Sequence, residues 1–235
     1  MILARGTALL ALAVALALTF ACGVAVPQNR IVVHGAAAGS TLRLSVQGRH
    51  LIVRGHMAHE HPAGCRLERA HRLAVCNLRR AAGGIEVDMG PHGDFVRVEE
   101  SLSLPLTVHL GGGSDKFIGN GEPDTCYSEG ARRNRCVGGP GRDVCITGNK
   151  NSDCVGGTGN DYCQTGAGSD GCWGGPGDDV CRMGRGHDGC HGEGGHDRLY
   201  GGPSSDQLYG GGGFDRCDGL PGWGRSHECE SGPRR

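Results

Sequence analysis

Apolar residues follow two rhythms along this chain. Between residues 26 and 109 they come in short runs, several of them alternating with polar positions. The runs are Ile31-Val32-Val33, Leu42-Arg43-Leu44-Ser45-Val46, Leu51-Ile52-Val53, Ile85-Glu86-Val87, Phe95-Val96-Arg97-Val98 and Leu106-Thr107-Val108. Such runs, separated by Gly or polar turns, predict short strands. From residue 110 the rhythm lengthens to one apolar-type residue in nine. It sits inside tandem segments such as GGPGRDVCI (138–146), GGTGNDYCQ (156–164), GGPGDDVCR (174–182) and GGGGFDRCD (210–218). The common pattern is Gly-Gly-x-Gly-x-Asp-x-apolar-x, and a fixed period of this kind signals a repeat architecture. No stretch has convincing helix caps. The chain therefore divides into residues 1–25, a strand-rich region 26–109, a repeat region 110–218 and a tail 219–235.

The repeats resemble the haemolysin-type, or RTX, calcium-binding nonapeptide repeat over roughly residues 110–218. The resemblance implies an all-β fold, a parallel β-roll or β-solenoid. Two nonapeptides make one eighteen-residue coil, Gly/Asp segments form the turns, and Ca2+ sits between successive turns. The residues give independent reasons for this. Glycine permits positive φ and close backbone approach. Neighbouring coils lie about 4.8 Å apart, so equivalent aspartates recur along an edge at that spacing. Such a row repels itself unless a cation lies within it, and calcium takes six to eight oxygens.

At eighteen residues per coil, one edge carries Asp124, Asp143, Asp161, Asp179, Asp197 and Asp215 without a gap. The other carries Asp115, Asn134, Ser152, Asp170, Asp188 and Asp206. The expected ligands of several Ca2+ ions are Asp143, Asp161, Asp179, Asp197 and Asp215 on the first edge. Asp170, Asp188 and Asp206 are expected on the second. The turn glycines that go with them are Gly139, Gly141, Gly157, Gly159, Gly175 and Gly177. Asp124 is set apart because its turn, GNGEPD, lacks the usual glycines. Asp94, in GPHGDFV, reads as a degenerate repeat turn.

The core position departs from the family, whose usual occupants there are Leu, Ile, Val or Phe. In this chain it is Phe117, Cys126, Cys136, Cys145, Cys154, Cys163, Cys172, Cys181, Cys190, Leu199, Leu208 and Cys217. Cysteine is small and readily buried. Packed sheets lie about 10 Å apart and adjacent strands about 4.8 Å, while a disulfide spans about 4.4–6.8 Å between Cα atoms. Distance thus favours pairs between neighbouring coils: Cys126–Cys145, Cys163–Cys181, Cys136–Cys154 and Cys172–Cys190. Cys217 is then left for Cys229, and Cys65 for Cys76. Pairing across a locally thinner core is the alternative. A thiolate array for zinc or copper is a weaker reading, since no Cys-x-x-Cys occurs.

Composition narrows the function. There are 46 glycines but no G-X-Y period, which excludes collagen. Aromatics are 4% of residues, too few for a large conventional core. The formal net charge of -1 gives no electrostatic case for nucleic acid. Arg5, the apolar run Ala8 to Phe20 and the small residues Gly23-Val24-Ala25 read as a signal peptide cleaved after Ala25; lipid anchoring through Cys22 is the alternative. Of 13 cysteines, 12 remain after Cys22 leaves, an even number that suits an oxidising, extracellular setting. His56, His59 and His61 read as a polar loop. No G-x-S-x-G, kinase or P-loop motif occurs, and no small-molecule substrate is evident. The expectation is a secreted, non-enzymatic calcium-binding protein, with a possible cell-surface or extracellular partner. Its rivals are a disulfide-stapled structural or adhesion module with vestigial calcium binding, and a small secreted hydrolase with a repeat tail.

Overall fold

A computed structural model describes residues 30–230 except 37, 59–64, 69–71, 82, 131–132 and 220–224. The expected signal segment, with Cys22, and the histidines His59 and His61 lie outside the described residues. The early strands are β1 (Ile31–His34), β2 (Thr41–Gln47), β3 (His50–Gly55), β4 (Cys65–Glu68), β5 (Leu73–Asn77), β6 (Ile85–Asp88), β7 (Phe95–Val98) and β8 (Leu106–His109). The repeat strands follow as β9 (Lys116–Ile118), β10 (Thr125–Ser128), β11 (Asn134–Pro140), β12 (Val144–Thr147) and β13 (Ser152–Thr158). Then come β14 (Tyr162–Gln164), β15 (Gly171–Pro176), β16 (Val180–Arg182), β17 (Gly189–Gly195), β18 (Arg198–Tyr200), β19 (Gln207–Gly213), β20 (Arg216–Asp218) and β21 (Arg225–His227). The only helical turn among the described residues is a 3-10 turn at Leu78–Arg80.

These strands form two sheets, one on each side of a parallel β-solenoid. The first has nine strands, β1-β6-β8-β10-β12-β14-β16-β18-β20, all parallel. The second runs β21-β19-β17-β15-β13-β11-β9-β7-β2 in parallel and continues antiparallel through β3, β5 and β4. Alternation explains the strands: the core position of each repeat is buried and its flanking residues face outward. The register keeps the eighteen-residue coil, with Cys145 opposite Cys163, Cys163 opposite Cys181 and Cys154 opposite Cys172. Both sheets run continuously past residue 110. The runs Ile31–Val33, Ile85–Val87 and Leu106–Val108 lie in the first sheet, and Leu42–Val46 and Phe95–Val98 in the second. The strand-rich N-terminal region thus joins the solenoid and adds the β3–β5–β4 extension at one end.

The cysteine core corrects the expected pairing. Disulfides join Cys126 to Cys136, Cys145 to Cys154 and Cys181 to Cys190, across the core within one coil. They replace the expected pairs Cys126–Cys145, Cys136–Cys154, Cys163–Cys181 and Cys172–Cys190. Cys163 and Cys172 are buried and free. Two physical facts decide this. The core is thinner than an ordinary sandwich, with Cα separations of 6.3, 6.1 and 6.7 Å across it, inside the disulfide range. In-register parallel neighbours also aim their Cβ atoms side by side, whereas cross-core residues aim at each other. Cys65–Cys76 closes the β4–β5 pair and Cys217–Cys229 ties down the tail. The sulfur atoms of Cys163, Cys172 and Cys181 lie within 4.8 Å of one another, with Cys181 engaged in its disulfide to Cys190.

Peptide mapping without reduction should return the linkages 126–136, 145–154 and 181–190, with Cys163 and Cys172 alkylated only after unfolding. Linkages 126–145 or 136–154 would contradict the cross-core arrangement. Replacing both Cys145 and Cys154 with serine should lower stability by about 2–3 kcal/mol, the entropy of closing a short loop, read by denaturant unfolding.

Candidate metal centre

The repeat turns bring the aspartates into two buried columns, one per edge. Each column is built by one recurring bond, in which the backbone N–H of an aspartate donates to Oδ1 of the aspartate one coil later. On the first edge the bonds run Asp124 to Asp143 (2.7 Å), Asp143 to Asp161 (2.7 Å), Asp161 to Asp179 (2.7 Å), Asp179 to Asp197 (2.8 Å) and Asp197 to Asp215 (2.9 Å). Glu230 ends that column by accepting from the Asp215 N–H at 2.5 Å. On the second edge Asp170 accepts from the Ser152 N–H, Asp188 from Asp170 and Asp206 from Asp188, at 2.7, 2.8 and 3.1 Å. All eight expected aspartate ligands therefore fall in the columns, and all are buried.

The columns reach beyond the eight. Asp94 accepts from the Ser40 N–H, Asp115 from Asp94, and Asn134 from Asp115. The second edge is thus an early stretch ending at Asn134 and a late one beginning at Ser152. Asp115 and Asn134 already shared that edge in the sequence, and the degenerate turn at Asp94 was the signal for the first member.

The other carboxylate oxygen decides the chemistry. In Asp94, Asp115, Asp143, Asp161, Asp170, Asp179, Asp188, Asp197, Asp206 and Asp215, Oδ2 is buried with no hydrogen-bond partner. A buried charged acceptor left unpaired is costly. Asp124 differs: its Oδ1 accepts from the Leu106 N–H and its Oδ2 from the Asn120 N–H. The residue set apart by its turn sequence is the one whose carboxylate needs no further partner.

Glycine makes room for these oxygens. Gly157 and Gly159 hold φ of +128° and +127°, a region L side chains rarely adopt. A Cβ on either would strike the Gly139 or Gly141 carbonyl of the preceding coil. Gly139, Gly141, Gly175 and Gly177 repeat this conformation at the matching positions. The first glycine of each repeat has a separate role that the sequence reading did not assign. A Cβ on Gly138, Gly156, Gly174, Gly192 or Gly210 would collide with the carboxylate of its own repeat: Asp143, Asp161, Asp179, Asp197 or Asp215. Asp143, Asp161 and Asp179, with Gly138, Gly156 and Gly174, reach the wall of a core cavity of about 20 Å³ that is lined mainly by cysteines such as Cys126, Cys145 and Cys163.

Burial dominates the electrostatics. It pushes the Asp143 and Asp179 carboxyls up to about 7, against backbone N–H donors that pull them down and neighbouring aspartates that push further. Asp188 and Asp197 rise to about 6 for the same first reason, and Asp161, Asp170 and Asp206 are also raised. Unpartnered carboxylate oxygens in a like-charged row fit a hard divalent cation such as Ca2+.

Two outcomes follow for the chain. With chelator present, a carboxyl raised in the fold keeps its proton where the unfolded chain, titrating near 3.8, has lost it. The folded state then binds more protons between about pH 4 and 7, so raising pH removes stability. The unfolding midpoint of the chelated protein should fall as pH rises through that window, while stabilisation by added calcium should grow. A chelated midpoint that climbs with pH contradicts this electrostatic picture. Separately, Gly174→Ala should displace the Asp179 carboxylate and cost about 1–3 kcal/mol, the scale for an overpacked site, read by thermal unfolding.

Residues 155–181 and 191–222 match the family model of the RTX calcium-binding nonapeptide repeat, in four copies. No curated protein and no solved structure matches the chain. The matched segments cover the later part of both columns, from Asp161 to Asp215 on the first edge and Asp170 with Asp206 on the second. Over those two segments the solenoid carries RTX calcium-binding repeats, folded as a parallel β-roll with a cysteine-rich core.

Proposed function

We propose that the chain is a secreted, non-enzymatic calcium-binding β-roll in which several Ca2+ ions sit between successive turns and stabilise the stacking of coils. The observation that carries this reading is the row of buried aspartates whose Oδ1 is engaged and whose Oδ2 has no partner. The ions would be held by Asp143, Asp161, Asp179, Asp197 and Asp215 on the first edge, and by Asp170, Asp188 and Asp206 on the second. The regular spacing of the carboxylates supports ion ligation over acid–base catalysis. Export is supported by the apolar N-terminal run in the sequence and by the disulfides.

The cross-core disulfides favour one refinement. Calcium reinforces a solenoid that is already stapled within its coils, rather than acting as its only folding trigger. Adhesion or scaffolding outside the cell is the role this build suits, toward a cell-surface or extracellular partner.

Asn134 shows how to test the ion without breaking the column, because it accepts the Asp115 N–H at 2.8 Å as an aspartate does. The double variant Asp161→Asn, Asp179→Asn should keep the inter-coil bonds and leave chelated stability equal or higher. Calorimetric titration should show its calcium affinity lower by at least about tenfold, a loss of about 1.4 kcal/mol. In the parent, calcium at about 100 times Kd should add about 2.7 kcal/mol. If the reduced chain keeps full β-structure by far-UV circular dichroism in excess chelator and gains nothing from calcium, the reading fails.

A further inference from the structure

The outer face of the first sheet, near its β1 end, carries a side-chain cluster that the calcium columns do not use. His34, Asp88 and His109 stand opposite one another on the adjacent parallel strands β1, β6 and β8. Glu86 lies two residues before Asp88 and so shares its outward face. These residues are distant in sequence and meet only through strand register.

We propose that Glu86, Asp88 and His109, with His34 beside Asp88 as a positioning residue, form a binding site for a borderline divalent transition-metal ion of the zinc class. Ligand atoms of Glu86, Asp88 and His109 lie within 4.8 Å of one another. His109 Nε2 is 3.4 Å from Glu86 Oε1, and His34 Nδ1 is 3.5 Å from Asp88 Oδ2. Both gaps exceed a good hydrogen bond of about 2.7–3.2 Å. The His109–Glu86 gap matches the roughly 3.3–3.4 Å that separates ligand atoms around a tetrahedral ion with bonds of about 2.0–2.1 Å.

The surroundings orient the donors. Arg30 Nη1 holds Glu86 Oε2 at 2.6 Å, which leaves Oε1 facing His109. Tyr127 stacks on the His109 ring with centroids 4.9 Å apart and planes 10° apart, fixing the imidazole. Such outer contacts set ligand geometry in metal sites. Glu86, Asp88 and His109 are half-buried and open to solvent, so an ion can enter. Two carboxylates against one guanidinium leave a local negative charge for a cation. Imidazole nitrogens distinguish the site from the aspartate columns, because hard calcium prefers oxygen while zinc accepts nitrogen and oxygen together.

The test is calorimetric titration of the oxidised full chain with Zn2+ in saturating calcium, so that the aspartate columns are occupied. One equivalent of zinc should bind. His109→Ala and His34→Ala should each weaken it at least tenfold, with far-UV circular dichroism and the calcium-induced shift of the unfolding midpoint unchanged. Co2+ loaded in place of zinc should show a visible absorption band that disappears in the His109 variant. A Cys163→Ser, Cys172→Ser variant should bind zinc as the parent does. Absence of zinc binding overturns the proposal. So does binding unaffected by the His109 and His34 variants, or binding abolished by replacing His56, His59 and His61 instead.

Discussion

The structure depends on a buried aspartate that uses its two oxygens differently. Oδ1 takes the N–H of the equivalent aspartate one coil earlier, and this bond recurs from Asp124 to Asp215. It fixes the pitch and the register together, since a slip by one residue would remove every carboxylate from its donor. The same bond draws the carboxylates inside, where Oδ2 has no partner. Like charges about 5 Å apart at an effective dielectric of about 20 repel by on the order of 3 kcal/mol. Ordering the column and creating the demand for a cation are thus one physical act. Asp124 shows the contrast, because the Asn120 N–H satisfies its second oxygen.

The fastenings act in perpendicular directions. Cys126–Cys136, Cys145–Cys154 and Cys181–Cys190 tie the two sheets together inside single coils. None of them links one coil to the next. Stacking along the axis rests on the backbone ladders, the aspartate columns and the outer aromatic rows, where Trp173, His191, Tyr209 and His227 stack in succession. Disulfides therefore hold the cross-section and ion-bridged columns hold the pitch, so neither substitutes for the other. The coil of Cys163 and Cys172 lacks the covalent tie, and burial pushes the Cys163 thiol well above its ordinary range.

The solenoid and its aspartate edges were legible because a nine-residue period repeats one physical unit many times. What the period could not show was orientation. The cysteine pairing was not legible because this core is thinner than ordinary packed sheets and because sequence spacing carries no Cβ direction. The first glycines were passed over because their role is to clear space for a side chain five residues later, not to bend the turn. Strands β4 and β5 were legible in kind but not singled out, since Cys65-Arg66-Leu67-Glu68 alternates apolar and polar residues as the other short strands do. The His34, Glu86, Asp88 and His109 cluster was invisible for a deeper reason: strand register alone brings together residues up to 75 apart in number.

A solenoid must also end, and its ends cannot repeat the interior solution. At the N-terminal end the second sheet stops being parallel: β3, β5 and β4 fold back antiparallel, with Cys65–Cys76 locking the outermost pair. At the C-terminal end the first-edge column has no further aspartate to receive the Asp215 N–H, and Glu230 supplies the carboxylate. Glu230 follows Cys229 directly, and Cys229 is bonded to Cys217 in the last strand of the first sheet. The final disulfide thus does what the cross-core ones do not. It positions a capping carboxylate at the end of the axis, so that the column closes on a charged acceptor instead of an open donor.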